Sequence, residues 1–336
     1  MTTKDINELL RNTILIGALG DAMGYQVEFM SESEIDSFFS NKVTFEKMTN
    51  QPLIVSDDTQ MSLYTLEGIY NDKRDPVNSI YQCYIDWGWT QLYSINNNIA
   101  ILHPDVSKLA RLPIMRQAHA PGRTCMDALM FGEMGTFSSR INNSKGNGGV
   151  MRLAPLAVYY ALNSDLTEHQ IAMLGVDVSC ITHGHDLSII ASYHFVYLLA
   201  CLARNENVVL EEWILISLNE TVNQFSNFCE ILDYKRLIEK SIRLAREDSI
   251  NDRYAISQIG EGWVAEETLA IALYCSIKYT SNLEGALLSS VNHNGDSDST
   301  GILTGNILGI LLENLDSYLS ILKRIDLYDV ITSLVE

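Results

Sequence analysis

Basic residues are scarce in this chain: 23 Lys and Arg stand against 42 Asp and Glu, a formal net charge of −19 over 336 residues. So acidic a protein lacks the positive footprint that a nucleic-acid backbone or an anionic membrane requires, which argues against both as the main partner. Proline is also rare, six in all, and no Gly/Ser-rich stretch separates one part of the chain from another. The expectation is one compact domain over residues 1–336. The six cysteines lie at least 21 residues apart and form no CxxC pair, so a zinc ribbon or a thioredoxin-like centre is not expected. Scattered thiols of this kind fit buried, reduced residues in a cytoplasmic protein. The start, Met1 to Leu10, is polar and mixed in charge, with no apolar signal core. One stretch, Leu187 to Ala203, lacks charged residues, but it is short for a membrane span and carries Ser188, Ser192, His194 and two tyrosines. It reads as a buried helix. No 30–45-residue repeat marks a solenoid.

What the chain does have is helical spacing. Its 47% hydrophobic residues, with 16 Tyr and 9 Phe, suffice for a core. Ile6, Leu9, Leu10, Thr13, Ile14 and Gly17 recur at i, i+3, i+4 and i+7, and Asp21 continues that face. Similar periodicity runs through Met61–Tyr70, Ile80–Gln91, Leu187–Arg204, Trp213–Ile231, Ala265–Tyr279, Ile302–Asn314 and Tyr318–Val335. Strand-like alternation is scarce, so the fold class is all-α. Gly301, Gly305 and Gly309 form a stripe on one helix face, and Gly20 and Gly24 form another beside Asp21. Glycine inside a helix costs about 1 kcal/mol relative to alanine. Close backbone packing offsets that cost, and here it would also draw together the loops at the helix ends.

Those loops hold the densest carboxylates. Ser56-Asp57-Asp58-Thr59 precedes one apolar-periodic helix, and Asp296-Ser297-Asp298-Ser299 precedes another. One capping side chain per helix start satisfies the exposed amides. Two adjacent Asp at one start and Asp-x-Asp at the other exceed that need, and crowded carboxylates repel unless a cation offsets them. A hard divalent ion such as Mg²⁺ or Mn²⁺ takes this set of carboxylate and hydroxyl oxygens. Neither cluster has the spacing of an EF-hand loop.

A third segment, Asn143 to Arg152, carries Gly146, Gly148 and Gly149 around Asn147. Its backbone amides could receive an anion such as a phosphate, although it is neither a P-loop nor a Rossmann turn. Thr182-His183-Gly184-His185 has a His-x-His, but no HExxH occurs anywhere, so His183 is expected to line a pocket. Trp263, with Glu266 or Glu267, either shapes a pocket or simply opens a capped helix behind an aromatic plug.

In chain order these segments resemble the ADP-ribosylglycohydrolase family, which includes dinitrogenase-reductase-activating glycohydrolases and ADP-ribosylarginine hydrolases. The matching stretches are Gly17 to Gly24 with Glu28, Ser56 to Met61, Gly146 to Arg152, Thr182-His183, Gly260 to Glu267, and Gly295 to Gly301 with Gly305-Asn306. The resemblance implies a multi-helix fold with a cleft holding two Mg²⁺ ions, or Mn²⁺. Carried over, Ser56, Asp57 and Asp58 supply ligands from one side, and Asp296, Asp298 and Ser299 from the other. Asn147, Gly148 and Gly149 would cradle a diphosphate, with Ser144, Lys145 and Gly146 beside it and Lys145 offsetting its charge. His183 would hydrogen-bond the ribose or the diphosphate. Proton transfer falls to Glu28 or Asp58, the choice being open.

The implied reaction is hydrolysis of ADP-ribose from a modified protein, with ADP-ribosyl-arginine the favoured linkage, serine, O-acetyl-ADP-ribose and nucleic-acid linkages the alternatives, and ADP-ribose the product. Ser56 and Ser299 stand where many relatives have Thr, and these Ser forms look more like the arginine-specific branch. Ala120 stands where some nitrogenase-regulating members carry an Asp, which argues against a nitrogenase substrate. The middle segment is similar to that of immunity-type members, so a cognate ADP-ribosyltransferase toxin enters as a further partner. Two other classes stay open: a metal-dependent glycosyltransferase using Asp-x-Asp, and a toxin inhibitor or ADP-ribose binder without catalysis.

Overall fold

The computed structural model describes residues 5–40, 43–96, 105–205 and 209–336; residues 1–4 of the polar start lie outside them. The α-helices in chain order are α1 Ile6–Tyr25, α2 Glu32–Phe38, α3 Phe45–Thr49, α4 Asp57–Asn71, α5 Pro76–Ile95, α6 Arg123–Met130, α7 Ala154–Asn163, α8 Glu168–Cys180 and α9 Asp186–Arg204. They continue as α10 Leu210–Gln224, α11 Ile231–Ala245, α12 Asp252–Ile259, α13 Ala265–Lys278, α14 Leu283–Val291, α15 Ser297–Gly309, α16 Leu319–Leu322 and α17 Tyr328–Val335. Among the described residues β pairing is confined to two isolated bridges, Leu53 with Ile325 and Gly146 with Val264. The all-α expectation therefore holds.

The chargeless stretch Leu187–Ala203 forms most of α9. Its apolar residues are buried on nearly every face, and it packs on α7, α8, α10 and α13. A helix that is apolar all round belongs in the core of a large protein as readily as in a bilayer.

The pairing of α1 with α15 is the most extensive helix contact, and it explains the glycine stripes. The two helices run antiparallel. A Cβ on Gly20 would stand 2.2 Å from the Gly301 carbonyl oxygen, and one on Gly305 would stand 2.3 Å from that of Ile16. One on Gly24 would stand 2.2 Å from the Ser297 carbonyl oxygen. Only hydrogen fits where the backbones touch. Asn306 Nδ2 donates to the Thr13 carbonyl at 3.0 Å and fixes the register. This packing carries the N-terminus of α15 to the end of α1, where Asp21 and Glu28 lie.

Two periodic stretches are interrupted. Trp213–Ile231 divides at Phe225, which leaves the helix to pack its buried ring on Tyr193 and Phe228, at 5.3 and 5.0 Å between centroids. Tyr318–Val335 breaks between α16 and α17. There Ile325 bridges Leu53, the Asp326 amide donates to the Leu53 carbonyl at 3.0 Å, and Asp326 Oδ1 accepts from the Val55 amide at 3.2 Å. Tertiary hydrogen bonds have replaced helical ones, and they brace the segment that leads into Ser56.

Candidate active site

Two helix N-termini converge in the cleft. Ser56 caps α4, its Oγ accepting from the Asp58 amide at 3.2 Å. Asp296 caps α15, accepting from the Ser299 amide at 3.4 Å. Each start thus has its capping residue, and Asp57, Asp58 and Asp298 occupy the first turns, where Asp298 Oδ1 also accepts from the Ser299 amide at 2.8 Å. Ser299 Oγ donates to Asp58 Oδ2 at 2.7 Å and joins the two corners.

Neighbouring segments tie down this arrangement. Asp21, wholly buried on α1, accepts from the Ser56 amide at 2.9 Å, from the Thr59 amide at 3.1 Å and from the Thr59 hydroxyl. Asp57 Oδ2 accepts from the Gly122 amide at 3.0 Å, and the Asp57 amide donates to the His119 carbonyl at 3.0 Å. Asn147 Nδ2 donates to Asp296 Oδ2 at 2.8 Å and to the Gly262 carbonyl at 2.9 Å. One amide side chain therefore joins the glycine-rich turn, the Trp263 segment and the second aspartate corner.

The result is a cleft of about 330 Å³. Glu28, Asp57, Asp58, Asp296, Asp298 and Ser299 line it together with Gly146, Asn147, Gly148 and His183. Residues 120–125, Phe29, Met151 and Trp263 complete the lining. Phe29 and Trp263 are stacked, 6.0 Å between centroids and 20° between planes, and both are exposed.

Crowded, buried carboxylates resist ionisation. Burial, followed by the charges of Asp298, Asp57 and Asp21, raises Glu28 from 4.5 to about 9. Burial and the Asp298 charge raise Asp21 from 3.8 to about 7. Asp57, Asp58 and Asp296 are likewise held well above the ordinary carboxylate range, chiefly by burial. Glu28 Oε2 is buried with no hydrogen-bond partner among the described residues. Oxygens of Glu28, Asp296 and Asp298 lie within 4.8 Å of one another. Hard oxygen donors, mutual repulsion and an unpartnered buried carboxylate oxygen fit a hard divalent cation.

Some expected site residues sit one step behind the cleft. Ser56 is wholly buried under the α4 turn. Gly149 backs onto Ser179 and Ser188. Ser144 Oγ lies 3.2 Å from Thr124 Oγ1, and Thr124 lines the cleft. Lys145 Nζ is engaged 3.0 Å from Glu266 Oε1. Three contributors carry little or no site signal in the sequence. Asp21 is a carboxylate on an otherwise apolar helix face, which was its signal. Gly122 acts only through its amide, which leaves no trace in a residue pattern. Arg152, fully buried, hydrogen-bonds Thr182 beside His183. Ala120 holds φ +51° at the cleft, a left-handed conformation costing an alanine about 1–2 kcal/mol.

Comparison with known proteins adds to this geometry. The chain is 25% identical over 312 residues to an uncharacterized protein of Archaeoglobus fulgidus, covering 90% of this chain and 88% of that one. It is 25% identical over 189 residues to the ADP-ribosylhydrolase ARH3 of Bos taurus, 49% of each chain. A solved structure described as an ADP-ribosylglycohydrolase-related protein complex shares the fold, with a TM-score of 0.61 at 20% identity over 99% of this chain and 97% of that one. Residues 2–336 match the ADP-ribosylglycohydrolase family. An all-helical fold, ordered motifs and a match along nearly the whole length agree: the chain belongs to the ADP-ribosylglycohydrolase family.

Proposed function

We propose that this chain is a metal-dependent hydrolase that removes ADP-ribose from modified protein side chains, foremost from ADP-ribosyl-arginine. The observation that carries the reading is the meeting of Glu28, Asp57, Asp58, Asp296 and Asp298 in one cleft beside the glycine-rich turn. Asp57, Asp58, Asp296, Asp298 and Ser299, with Ser56 in support, would hold two Mg²⁺ or Mn²⁺ ions. Bound there, such ions supply a template for ribose hydroxyls and lower the pKa of water.

The rest of the chemistry belongs to the protein. The 3₁₀ turn Asn147–Gly149 offers amides to the diphosphate, with the His183 ring beside it. Water adds to C1 of the distal ribose as the C1–N bond breaks, and the bonding pair leaves with the guanidine nitrogen, which takes up a proton. Buried carboxylates stabilise the positive charge that develops on the sugar. Glu28 carries the proton in this reading, because one of its oxygens has no partner among the described residues, whereas Asp58 is engaged by Ser299.

Arginine is favoured by the exposed Phe29–Trp263 stack beside the acidic lining, since a planar cation suits an aromatic face. A toxin that ADP-ribosylates arginine belongs to the same reading as the source of the modified substrate. The test is a panel of defined ADP-ribosylated acceptors, with EDTA or with added Mg²⁺. Release of ADP-ribose from the arginine acceptor that stops with EDTA and returns with Mg²⁺ is expected. Turnover indifferent to EDTA, or no turnover on any acceptor, overturns the reading.

A further inference from the structure

Among the described residues, Arg152 is the largest polar side chain sealed in the interior, with no exposed surface. Its partners are neutral. Nη2 donates to the Val178 carbonyl at 3.2 Å and to Thr182 Oγ1 at 2.7 Å. Nη1 faces the sulfurs of Met61 and Cys125 at 3.5 and 3.7 Å, and the guanidinium lies 4.4 Å above the Tyr84 ring. Among the described residues no carboxylate pairs with it, and burying a cation without one is costly. Packing alone would be served by an apolar side chain.

The donor and acceptor roles along this chain of contacts are constrained. Arginine has only donors, so Thr182 Oγ1 accepts from it. The single hydroxyl proton is then free to point along the next contact, His183 Nδ1 at 2.8 Å. With the proton on that contact, Nδ1 accepts, and the ring proton of a neutral imidazole sits on Nε2. Burial, followed by the Arg152 charge, lowers His183 to about 3, so the ring stays neutral. Its Nε2 edge meets the glycine-rich turn: a Cβ on Gly146 would stand 3.2 Å from Nε2, and one on Gly148 would stand 2.9 Å from Cε1. Glycine at both positions leaves that edge open to the cleft.

We propose that Arg152 is a positioning residue which, through the Thr182 hydroxyl, locks His183 as the Nε2–H tautomer and so presents a fixed hydrogen-bond donor to ligand oxygen at the Gly146–Gly148 turn. The relay also explains why two motifs 30 positions apart, one ending in Arg152 and one opening with Thr182, act as one unit. The ligand half of this inference rests on the cleft being an ADP-ribose site, whereas the tautomer half does not.

Ring-¹⁵N-labelled histidine distinguishes the tautomers by NMR, with the His183 signals assigned by their loss in His183→Gln. The wild-type protein is expected to show Nε2–H. Thr182→Val should mix the tautomers and weaken ADP-ribose binding roughly tenfold, the cost of one misdirected hydrogen bond, and Thr182→Ser should restore both. A wild-type Nδ1–H ring overturns the proposal, as does Thr182→Val with tautomer and affinity unchanged. If Thr182→Val does not fold, the wild-type and Thr182→Ser spectra decide the matter. Failure of the wild-type protein to bind ADP-ribose would remove the functional reading of the cleft, while the spectra would still test the relay.

Discussion

Ser299 Oγ donates a hydrogen bond to Asp58 Oδ2 at 2.7 Å, across 241 sequence positions. It joins the first turn of α15 to the first turn of α4, so two helix N-termini share one carboxylate environment. The positive ends of both helices offset part of the repulsion among the aspartates.

Loss of that bond should loosen the Asp58 carboxylate without removing it. Ser299→Ala, which also removes an oxygen proposed to hold the ions, is expected to weaken Mg²⁺ binding by at least about tenfold, the lower end for loss of a group that orients a metal ligand. Asp57→Ala and Asp296→Ala should each abolish ADP-ribose release. Calorimetric Mg²⁺ titration and a release assay check these outcomes, with circular dichroism confirming the fold. Full activity in either aspartate variant would count against the metal site.

Helix packing and metal binding should fail together at the glycine stripe. The Cβ of Gly301→Ala would lie 2.4 Å from the Gly20 carbonyl oxygen, so the helices must separate. A loss of about 1–3 kcal/mol is expected from overpacking, with weaker Mg²⁺ binding by the folded protein. Leu218→Ala, at a buried site on α10, should cost about 2–5 kcal/mol and leave Mg²⁺ affinity unchanged. Urea unfolding and metal titration separate the two cases.

The raised carboxyl groups give a pH dependence of definite sign. Glu28 is lifted from 4.5 to about 9 and Asp21 from 3.8 to about 7. Above the unfolded values, the unfolded chain releases protons that the folded protein retains. EDTA-treated protein should therefore lose stability as pH rises through these windows, about 4.5 to 9 for Glu28 and about 3.8 to 7 for Asp21. A divalent ion competes with those protons, so Mg²⁺ should bind more tightly, and raise Tm further, at pH 8 than at pH 6. Thermal melts at both pH values provide the check, and an equal Tm gain at both contradicts the prediction.

The aromatic pair should act on the acceptor. Phe29→Ala and Trp263→Ala are expected to lower kcat/KM on ADP-ribosyl-arginine by about 5–30-fold, as for loss of a partly desolvated cation–π contact. ADP-ribosyl-serine turnover and ADP-ribose affinity should change little. Equal losses on both acceptors and in ADP-ribose binding would assign the pair to the adenine instead.

Much of this protein can be read from neighbours a few residues apart. Apolar residues at helical spacing marked α1, α4, α5, α9, α13 and α15, although not their ends. Surplus carboxylates at Ser56–Thr59 and Asp296–Ser299 marked both corners of the cleft. Short helices such as α2 and α3 carry too few turns for periodicity to emerge. The break at Phe225 has no Pro or Gly to announce it, because an aromatic cluster makes it.

The sequence by itself determined the helical class, the two acidic helix starts and the glycine stripes, since caps, periodicity and close-packing residues are local properties of the chain. Tertiary structure alone decided which partner each of those groups met. It set Lys145 on Glu266, placed Asp21 under the Ser56 turn, left Glu28 Oε2 without a partner and aligned Arg152, Thr182 and His183. Burial and electrostatic fields depend on distance in space, and segments remote along the chain supply them.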